Sequence, residues 1–181
     1  MLLDIVELGD PVLRRKAHKV TQIDKDLRLL VNDMVETLHD AGGVGLAAPQ
    51  IGESIRLIVV EWYEHDEDAD AESEEEKPKQ IYKVINPEII WHSEEKVMGT
   101  EGCLSIPGYS GDVERWESVK VKGLNPFGRP VKISASGWLA RIFQHEIDHL
   151  EGICYIDKAE TIYQPGEETD PAEESDPETA E

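Results

Sequence analysis

The chain has 181 residues, a length that predicts one domain able to bury a core without disulfide staples. Its formal net charge is −21 and no basic stripe is visible, so direct binding to nucleic acid is disfavoured. With two cysteines, no secretory signal and no apolar run near the ~20 residues of a membrane span, the composition is typical of a globular protein of the reducing cytoplasm.

Two acidic segments carry most of the negative charge. Residues 64–80 contain nine acidic residues and two lysines, and residues 160–181 contain nine acidic residues and no basic residue. We predict that 64–80 is a solvated insertion within a domain that spans residues 1–159, and that 160–181 is an acidic, disordered tail. An arm for a basic partner or for cations, or an adaptation to high salt, would give the same composition.

The first part of the chain predicts a turn, a helix and a buried strand. Residues 10–14 form a short helical turn that an Asp-Pro pair opens. Asp24 is a suitable N-cap for a helix that runs to about Asp40. Apolar residues recur along this helix at helical spacing, namely Leu27, Leu30, Val31, Met34, Val35 and Leu38. Residues 41–52 are too rich in glycine for a simple helix, and residues 56–62 (RLIVVEW) predict a buried strand.

The second part of the chain predicts further strands and then one more helix. Residues 81–90 have strand character that an Asn-Pro pair interrupts. Residues 113–124 alternate around SVKVKG, residues 125–128 predict a turn, and residues 130–133 predict a return strand. Clustered strands with a buried helix near the end predict an α+β fold, with mainly antiparallel sheets packed around that central helix.

Residues 137–150 (GWLARIFQHEIDHL) form the predicted central helix. The helix is apolar almost all round, as buried helices are. One side of it carries Trp138, Arg141, Ile142, His145 and His149. Two histidines four residues apart can bind one metal ion, and Glu146, beside the first, is placed to act as general base toward a metal-bound water.

The third metal ligand is not fixed by this helix alone. The long zinc-protease motif would place a histidine where the chain has Tyr155, so that class is disfavoured. Glu160 lies downstream without a helical context and remains a candidate. Upstream, Cys103 follows Gly102 in a short extended segment, and a thiolate is a strong ligand for zinc or ferrous iron. Cys154 is typical of a buried core cysteine.

Three motifs occur together in this chain: GVGLAAPQ at 43–50, EGCLS at 101–105 and QHEIDH at 144–149. Together they resemble those of peptide deformylase of the bacterial type, whose patterns G-x-G-x-A-A-x-Q, E-G-C-x-S and H-E-x-x-H are all complete here. The resemblance extends from about residue 8 to residue 157. It implies a metal-dependent hydrolase that removes the formyl group from the N-terminal formyl-methionine of newly synthesised proteins.

The resemblance also implies which residues carry the chemistry. The implied metal ligands are Cys103, His145 and His149. Glu146 is the implied catalytic acid and base. Gln50 and the backbone N–H of Leu104 would stabilise the developing oxyanion, and Glu101 would support the metal loop from behind. Preorganised donors without added charge suit a tetrahedral oxyanion.

For the substrate, the resemblance implies an extended peptide along Val44 and Gly45, where we expect the absence of a glycine side chain to allow close approach. It implies a methionine pocket formed by Trp138, Arg141 and Ile142. Arg141 brings a cation to this pocket, and we expect its alkyl stem to pack while its charge reaches solvent.

The resemblance implies one ferrous ion (Fe2+) per chain, and zinc, nickel or cobalt could replace it because a thiolate and two imidazoles accept several metals. The implied partners are nascent formyl-methionyl peptides, and we expect a monomer. Bacterial members commonly dock at the ribosome through a basic C-terminal helix. This chain ends in an acidic segment instead, so docking through such a helix is not expected.

Two alternative functions stay open beside the deformylase hypothesis. A zinc-dependent endopeptidase could use the same HExxH motif, although Tyr155 and the EGCLS motif argue against it. An acidic binding module could keep the fold without the metal, but the intact Cys103, Glu146 and Gln50 argue against that.

Overall fold

The computed structural model describes residues 1–62 and 79–165. Residues 63–78 and 166–181 lie outside the described residues, and with them most of the predicted insertion and most of the predicted tail. The described part of the chain forms two α-helices and eight β-strands. In chain order these are α1 (Lys25–Asp40), β1 (Gly45–Ala47), β2 (Leu57–Trp62), β3 (Gln80–His92), β4 (Lys96–Cys103), β5 (Ile106–Trp116), β6 (Ser118–Leu124), β7 (Pro130–Ser136), α2 (Gly137–Leu150) and β8 (Thr161–Tyr163).

The strands form two antiparallel sheets. The larger sheet has the order β1-β2-β3-β6-β7, and the smaller sheet has the order β4-β5-β8. Along β6, Val119 and Val121 are buried while Lys120 and Lys122 are exposed, as the alternation predicts. The predicted α+β fold with mainly antiparallel sheets is confirmed.

Helix α2 is the central element, and its bounds match the prediction. Leu139, Phe143 and Leu150 pack into the core of the larger sheet. On its other side α2 meets Trp116, the last residue of β5 in the smaller sheet. The side-chain amide of Gln144 accepts a hydrogen bond from the backbone N–H of Trp116 at 3.1 Å and donates one to the backbone carbonyl of Trp116 at 2.9 Å. Because α2 packs on one sheet and hydrogen-bonds the other, its polar side chains are enclosed in the protein.

Helix α1 begins where its N-cap predicts. The Oδ1 atom of Asp24 accepts a hydrogen bond from the N–H of Leu27 at 2.9 Å. Val31, Met34 and Leu38 form its buried face, which packs beside β1 and β2. Neither helix in residues 1–62 and 79–165 combines the length and the apolarity that crossing a bilayer requires.

Strand β3 runs through Asn86 and Pro87, and the predicted interruption is found there as an irregularity in its pairing with β6, between Ile85 and Glu88. Asn86 has a φ of 51°, and its side-chain amide pairs with the backbone N–H and carbonyl of Val20, both at 2.9 Å. An irregularity of this kind lets a strand accommodate a proline that cannot donate to the ladder.

The sequence patterns predict little of the smaller sheet. Its strands β4 and β5 contain glycines and buried charged residues, Glu101 and Arg115, so no clean alternation marks them. Strand β8 pairs with β5, Thr161 opposite Asp112 and Tyr163 opposite Ser110. The predicted tail therefore begins too early, since this strand lies within it.

Candidate active site

One cavity of about 520 Å³ brings the three sequence motifs together. It lies between the loop before β1, the end of β4 and the buried side of α2. The predicted site residues that line it are Val44, Gly45, Gln50, Cys103, Leu104, Trp138, Arg141, Ile142, His145 and Glu146. The remaining predicted residue, His149, is fully buried beside Cys103.

Cys103, His145 and His149 each offer one ligand atom, and these atoms lie within 4.8 Å of one another. The Sγ atom of Cys103 is 3.3 Å from Nε2 of His149. His145 uses Nδ1 to bond Glu101, which leaves Nε2 for a metal. One thiolate and two imidazoles form a complete three-ligand set for zinc or ferrous iron, so these residues fit a bound metal ion. The alternative ligand, Glu160, does not belong to this group.

Glu101 fixes the orientation of the His145 ring through a hydrogen bond to Nδ1. Its Oε1 lies 2.8 Å from Nδ1 of His145, and Arg115 bonds both carboxylate oxygens at 2.9 Å. Arg141 adds a bond to Oε2 at 2.8 Å. Burial alone would raise the pKa of Glu101, but hydrogen bonds to Arg115 and His145 outweigh it and hold the pKa well below its usual value. The carboxylate is therefore ionised, and its orientation is fixed.

The predicted exposure of the Arg141 charge is wrong. The side chain is 7% exposed. Its guanidinium donates to the backbone carbonyls of Val97 at 2.6 Å and Val113 at 2.7 Å, besides its bond to Glu101. The prediction failed because a space beside Gly99 receives the cation, and the sequence does not show that space.

Glu146 is buried and lies against Gly45. A Cβ atom at position 45 would lie 2.8 Å from Cδ of Glu146, so the glycine makes room for this carboxylate. Close approach of a peptide at the same glycine stays a prediction. The Oε2 atom of Glu146 has no hydrogen-bond partner in the described part of the chain. Burial raises the pKa of Glu146 to about 7, and the nearby His145 charge only partly opposes this. The group can thus accept and release a proton near neutral pH.

Gln50 has a fixed amide orientation. Its Oε1 accepts a hydrogen bond from the N–H of Ala47 at 2.8 Å. Its Nε2 therefore points to the other side, 3.4 Å from Sγ of Cys103 and 3.3 Å from Oγ of Ser105. Ser105 closes the EGCLS motif and was not among the predicted site residues. The result is a neutral donor held beside Cys103.

Other residues that support the site were also missed. Arg115 bonds Asp148 of α2 at 2.5 Å, in addition to Glu101. A signal existed, because Arg115 occupies an inward strand position two residues after Val113. Tyr155, where the long zinc-protease motif has a histidine, is buried with its ring stacked near His145, the centroids 6.1 Å apart. It packs near the histidine pair and is not one of the grouped ligands.

The entrance of the cavity is apolar. Val44 is 45% exposed and Trp138 is 49% exposed, whereas Ile142 is buried. The loop that carries Val44 is tied to β2, because its carbonyl accepts a hydrogen bond from the N–H of Glu61 at 2.8 Å. The predicted substrate-binding residues therefore all line this one cavity.

Residues 2–164 match the family model described as polypeptide deformylase. The peptide deformylase of Halothermothrix orenii is 50% identical over 161 residues, which cover 89% of this chain and 96% of the relative. The crystal structure of the Thermotoga maritima enzyme has a TM-score of 0.77 at 38% identity, covering 89% of this chain and 99% of that one. A Met-Ala-Ser-bound crystal structure of a class I type b peptide deformylase from Acinetobacter baumannii has a TM-score of 0.77 at 37% identity, with coverages of 87% and 98%. The zinc-endopeptidase alternative is accordingly not favoured, and the chain belongs to the polypeptide deformylase family of metal-dependent hydrolases.

Proposed function

We propose that the chain removes the formyl group from the N-terminal formyl-methionine of nascent peptides at the cavity that contains Cys103, His145 and His149. The observation that carries this proposal is that the three ligand atoms lie within 4.8 Å of one another, in a group whose cavity Glu146 and Gln50 also line. A metal ion held by these ligands would lower the pKa of an attacking water toward neutrality.

Glu146 is the proposed general base and acid. It takes a proton from the attacking water and returns it to the amine that leaves the formyl carbon. Its pKa of about 7 supports both steps, because the group is then protonated and ionised in comparable amounts near neutral pH. The close packing of Glu146 against Gly45 limits where its carboxylate can lie.

Gln50 and the backbone N–H of Leu104 are the proposed donors to the oxyanion that develops on the formyl oxygen. The Nε2 of Gln50 is supported in this role by the bond between its Oε1 and Ala47, which prevents the amide from turning round. Donors that are already oriented stabilise a developing charge without reorganisation during the reaction.

The proposed peptide site runs along Val44 and Gly45, with the methionine side chain against Trp138, Arg141 and Ile142. The apolar rim supports this placement, because methionine is an apolar side chain. The Acinetobacter baumannii relative binds Met-Ala-Ser. That tripeptide is what deformylation of formyl-Met-Ala-Ser would leave, which supports a peptide N-terminus as the ligand here.

We further propose ferrous iron as the native metal, with zinc, nickel or cobalt as replacements, and a monomer working in the cytoplasm. The ligand chemistry supports several of these metals equally. Residues 64–80 are proposed to take no part in the chemistry, because they lie far in sequence from the three motifs.

The test is formate release from formyl-Met-Ala-Ser by the full chain, prepared without oxygen and loaded with ferrous iron. We expect turnover from the wild type. Glu146→Ala should keep its metal and lose most of that turnover. Lys120→Met is a control, because Lys120 is exposed on β6, does not line the cavity, and places its ammonium group over the Trp91 ring at 5.2 Å. Absence of formate release from metal-loaded wild-type protein would contradict the proposal.

A further inference from the structure

Gly99 of β4 leaves a space that the side chain of Arg141 fills. A Cβ atom at position 99 would lie 2.7 Å from Cζ and 2.8 Å from Nε of Arg141, closer than side-chain atoms approach. On another side the guanidinium lies 5.5 Å from the centroid of the Trp138 ring. A cation is thus enclosed between α2 and the smaller sheet because position 99 has no side chain.

The short hydrogen bonds of Arg141 all cross from α2 to the smaller sheet. Nη2 donates to the carbonyl of Val97 at 2.6 Å, and Nη1 donates to the carbonyl of Val113 at 2.7 Å and to Oε2 of Glu101 at 2.8 Å. Within residues 1–62 and 79–165, no other side chain of α2 hydrogen-bonds the main chain of β4. Arg141 therefore ties this strand to the helix.

The metal ligands come from the same two elements. Cys103 is the last residue of β4, and His145 follows Arg141 by one helical turn on α2. Metal–sulfur and metal–nitrogen bonds have narrow lengths of ~2.3 Å and ~2.0–2.1 Å. A slide of β4 along α2 by a fraction of an ångström would therefore spoil the site, and the bonds of Arg141 oppose that slide.

Arg115 makes a complementary link further along the helix. It extends from β5 to Glu101 and to Asp148. Arg141 and Asp148 are seven residues apart, or ~10 Å along the helix axis, and His145 lies between them. Loss of Arg141 would keep the link at Asp148 but would leave the main chain of β4 without a side-chain hydrogen bond from α2.

We propose that Arg141 is a positioning residue: seated in the space left by Gly99, it fixes Cys103 relative to His145 and His149, and so sets the affinity and geometry of the metal site. This role belongs to the guanidinium group and is separate from the place of the Arg141 side chain in the wall of the proposed methionine pocket. The inference rests on the metal ligands of the proposed function and does not depend on which substrate is cleaved.

The test is titration of the metal-free full chain with Co2+, read from the visible absorption bands of the bound ion and from competition with a chelator. Arg141→Met should weaken cobalt binding by about tenfold or more and shift the bands, as loss of a residue supporting the ligands does. Gly99→Ala should act in the same direction, because its methyl group displaces the guanidinium without removing a charge. The exposed control Lys120→Met should bind cobalt as the wild type does.

Arg141→Lys keeps the charge but not the planar fork of donors, so we expect its cobalt affinity to lie between those of the wild type and Arg141→Met. If circular dichroism shows that Arg141→Met does not fold, the Arg141→Lys variant is used for the cobalt titration in its place. Wild-type affinity and bands in both Arg141→Lys and Gly99→Ala would overturn the proposal. A loss of formate release in these two variants at unchanged cobalt binding would also overturn it, and would leave Arg141 with its place in the methionine pocket alone.

The outcomes also separate this inference from the proposed function. A wild type that binds cobalt and shows the expected variant effects, yet releases no formate, would refute the function and leave the positioning role intact. A wild type that binds no cobalt would overturn both.

Discussion

Replacing Gly45 by alanine tests how the protein positions Glu146. The new methyl carbon would lie 2.8 Å from Cδ and 2.9 Å from Cγ of Glu146. Carbon atoms in good contact are ~3.5–4.0 Å apart, so one side must move by about 1 Å. Gly45 is paired with Val60 in the larger sheet, which restrains the backbone. We therefore expect the carboxylate of Glu146 to be displaced.

The expected loss of activity follows from this displacement. A misplacement of about 1 Å can cost about 100-fold in rate, and loss of a general base costs ~10²–10⁴-fold. We expect kcat for Gly45→Ala to fall by about 100-fold, or ~2.7 kcal/mol in the barrier. Overpacking should lower the free energy of unfolding by about 1–2 kcal/mol. The decrease in the free energy of unfolding should stay small, because the displaced Oε2 of Glu146 loses no hydrogen bond within the described residues.

The assay is formate release at saturating formyl-Met-Ala-Ser, with metal content measured in each sample. Wild type, Gly45→Ala, Glu146→Ala and the double variant form a cycle. If the methyl group acts through Glu146, adding Gly45→Ala to Glu146→Ala should change kcat by less than about threefold. Fully additive losses would show that Gly45 acts on the peptide instead. A Gly45→Ala enzyme with wild-type kcat would refute the packing argument.

Three further substitutions test the ligand set, the oxyanion donor and a surface ion pair. Cys103→Ala should lose most of its bound metal, measured by metal analysis after gel filtration, because two imidazoles alone hold an ion weakly. Gln50→Ala should keep its metal and lose about 100-fold in kcat, since the oxyanion loses a donor. Burial raises the pKa of Glu151, but hydrogen bonds from Lys16 and Arg56 more than offset this and leave it below its usual value. Its stabilisation is then present above pH 4.5 and lost as the pH falls, so urea unfolding should show Glu151→Gln less stable than wild type at pH 7 and a narrowing gap below pH 4.5.

Each of these expectations has an outcome that would contradict it. Full metal content in Cys103→Ala would remove this residue from the ligand set. Wild-type kcat in Gln50→Ala would assign the oxyanion to other donors. A stability gap for Glu151→Gln that does not change with pH would show that the ion pair with Arg56 and Lys16 does not lower the pKa of this carboxyl group.

The helices could be predicted from the sequence because their determinants are local. Asp24 caps α1 through an N–H only three residues ahead, and the apolar spacing of α2 marks both of its ends. The smaller sheet could not be predicted in the same way. Glu101 and Arg115 bury charges that neutralise each other, and such a pair interrupts the alternation by which a strand is normally identified.

The sequence by itself determined which residues are the candidate metal ligands, because His145 and His149 are one helical turn apart and the EGCLS motif that resembles the family pattern adds Cys103. Only the tertiary structure decided where the charge of Arg141 lies. It also decided which group occupies the space that a side chain at Gly45 would fill. Both depend on contacts between residues distant in the chain. The guanidinium of Arg141 occupies the space beside Gly99, and the carboxylate of Glu146 occupies the space beside Gly45. Periodicity describes one element at a time, whereas these spaces exist only after a helix and two sheets have packed together.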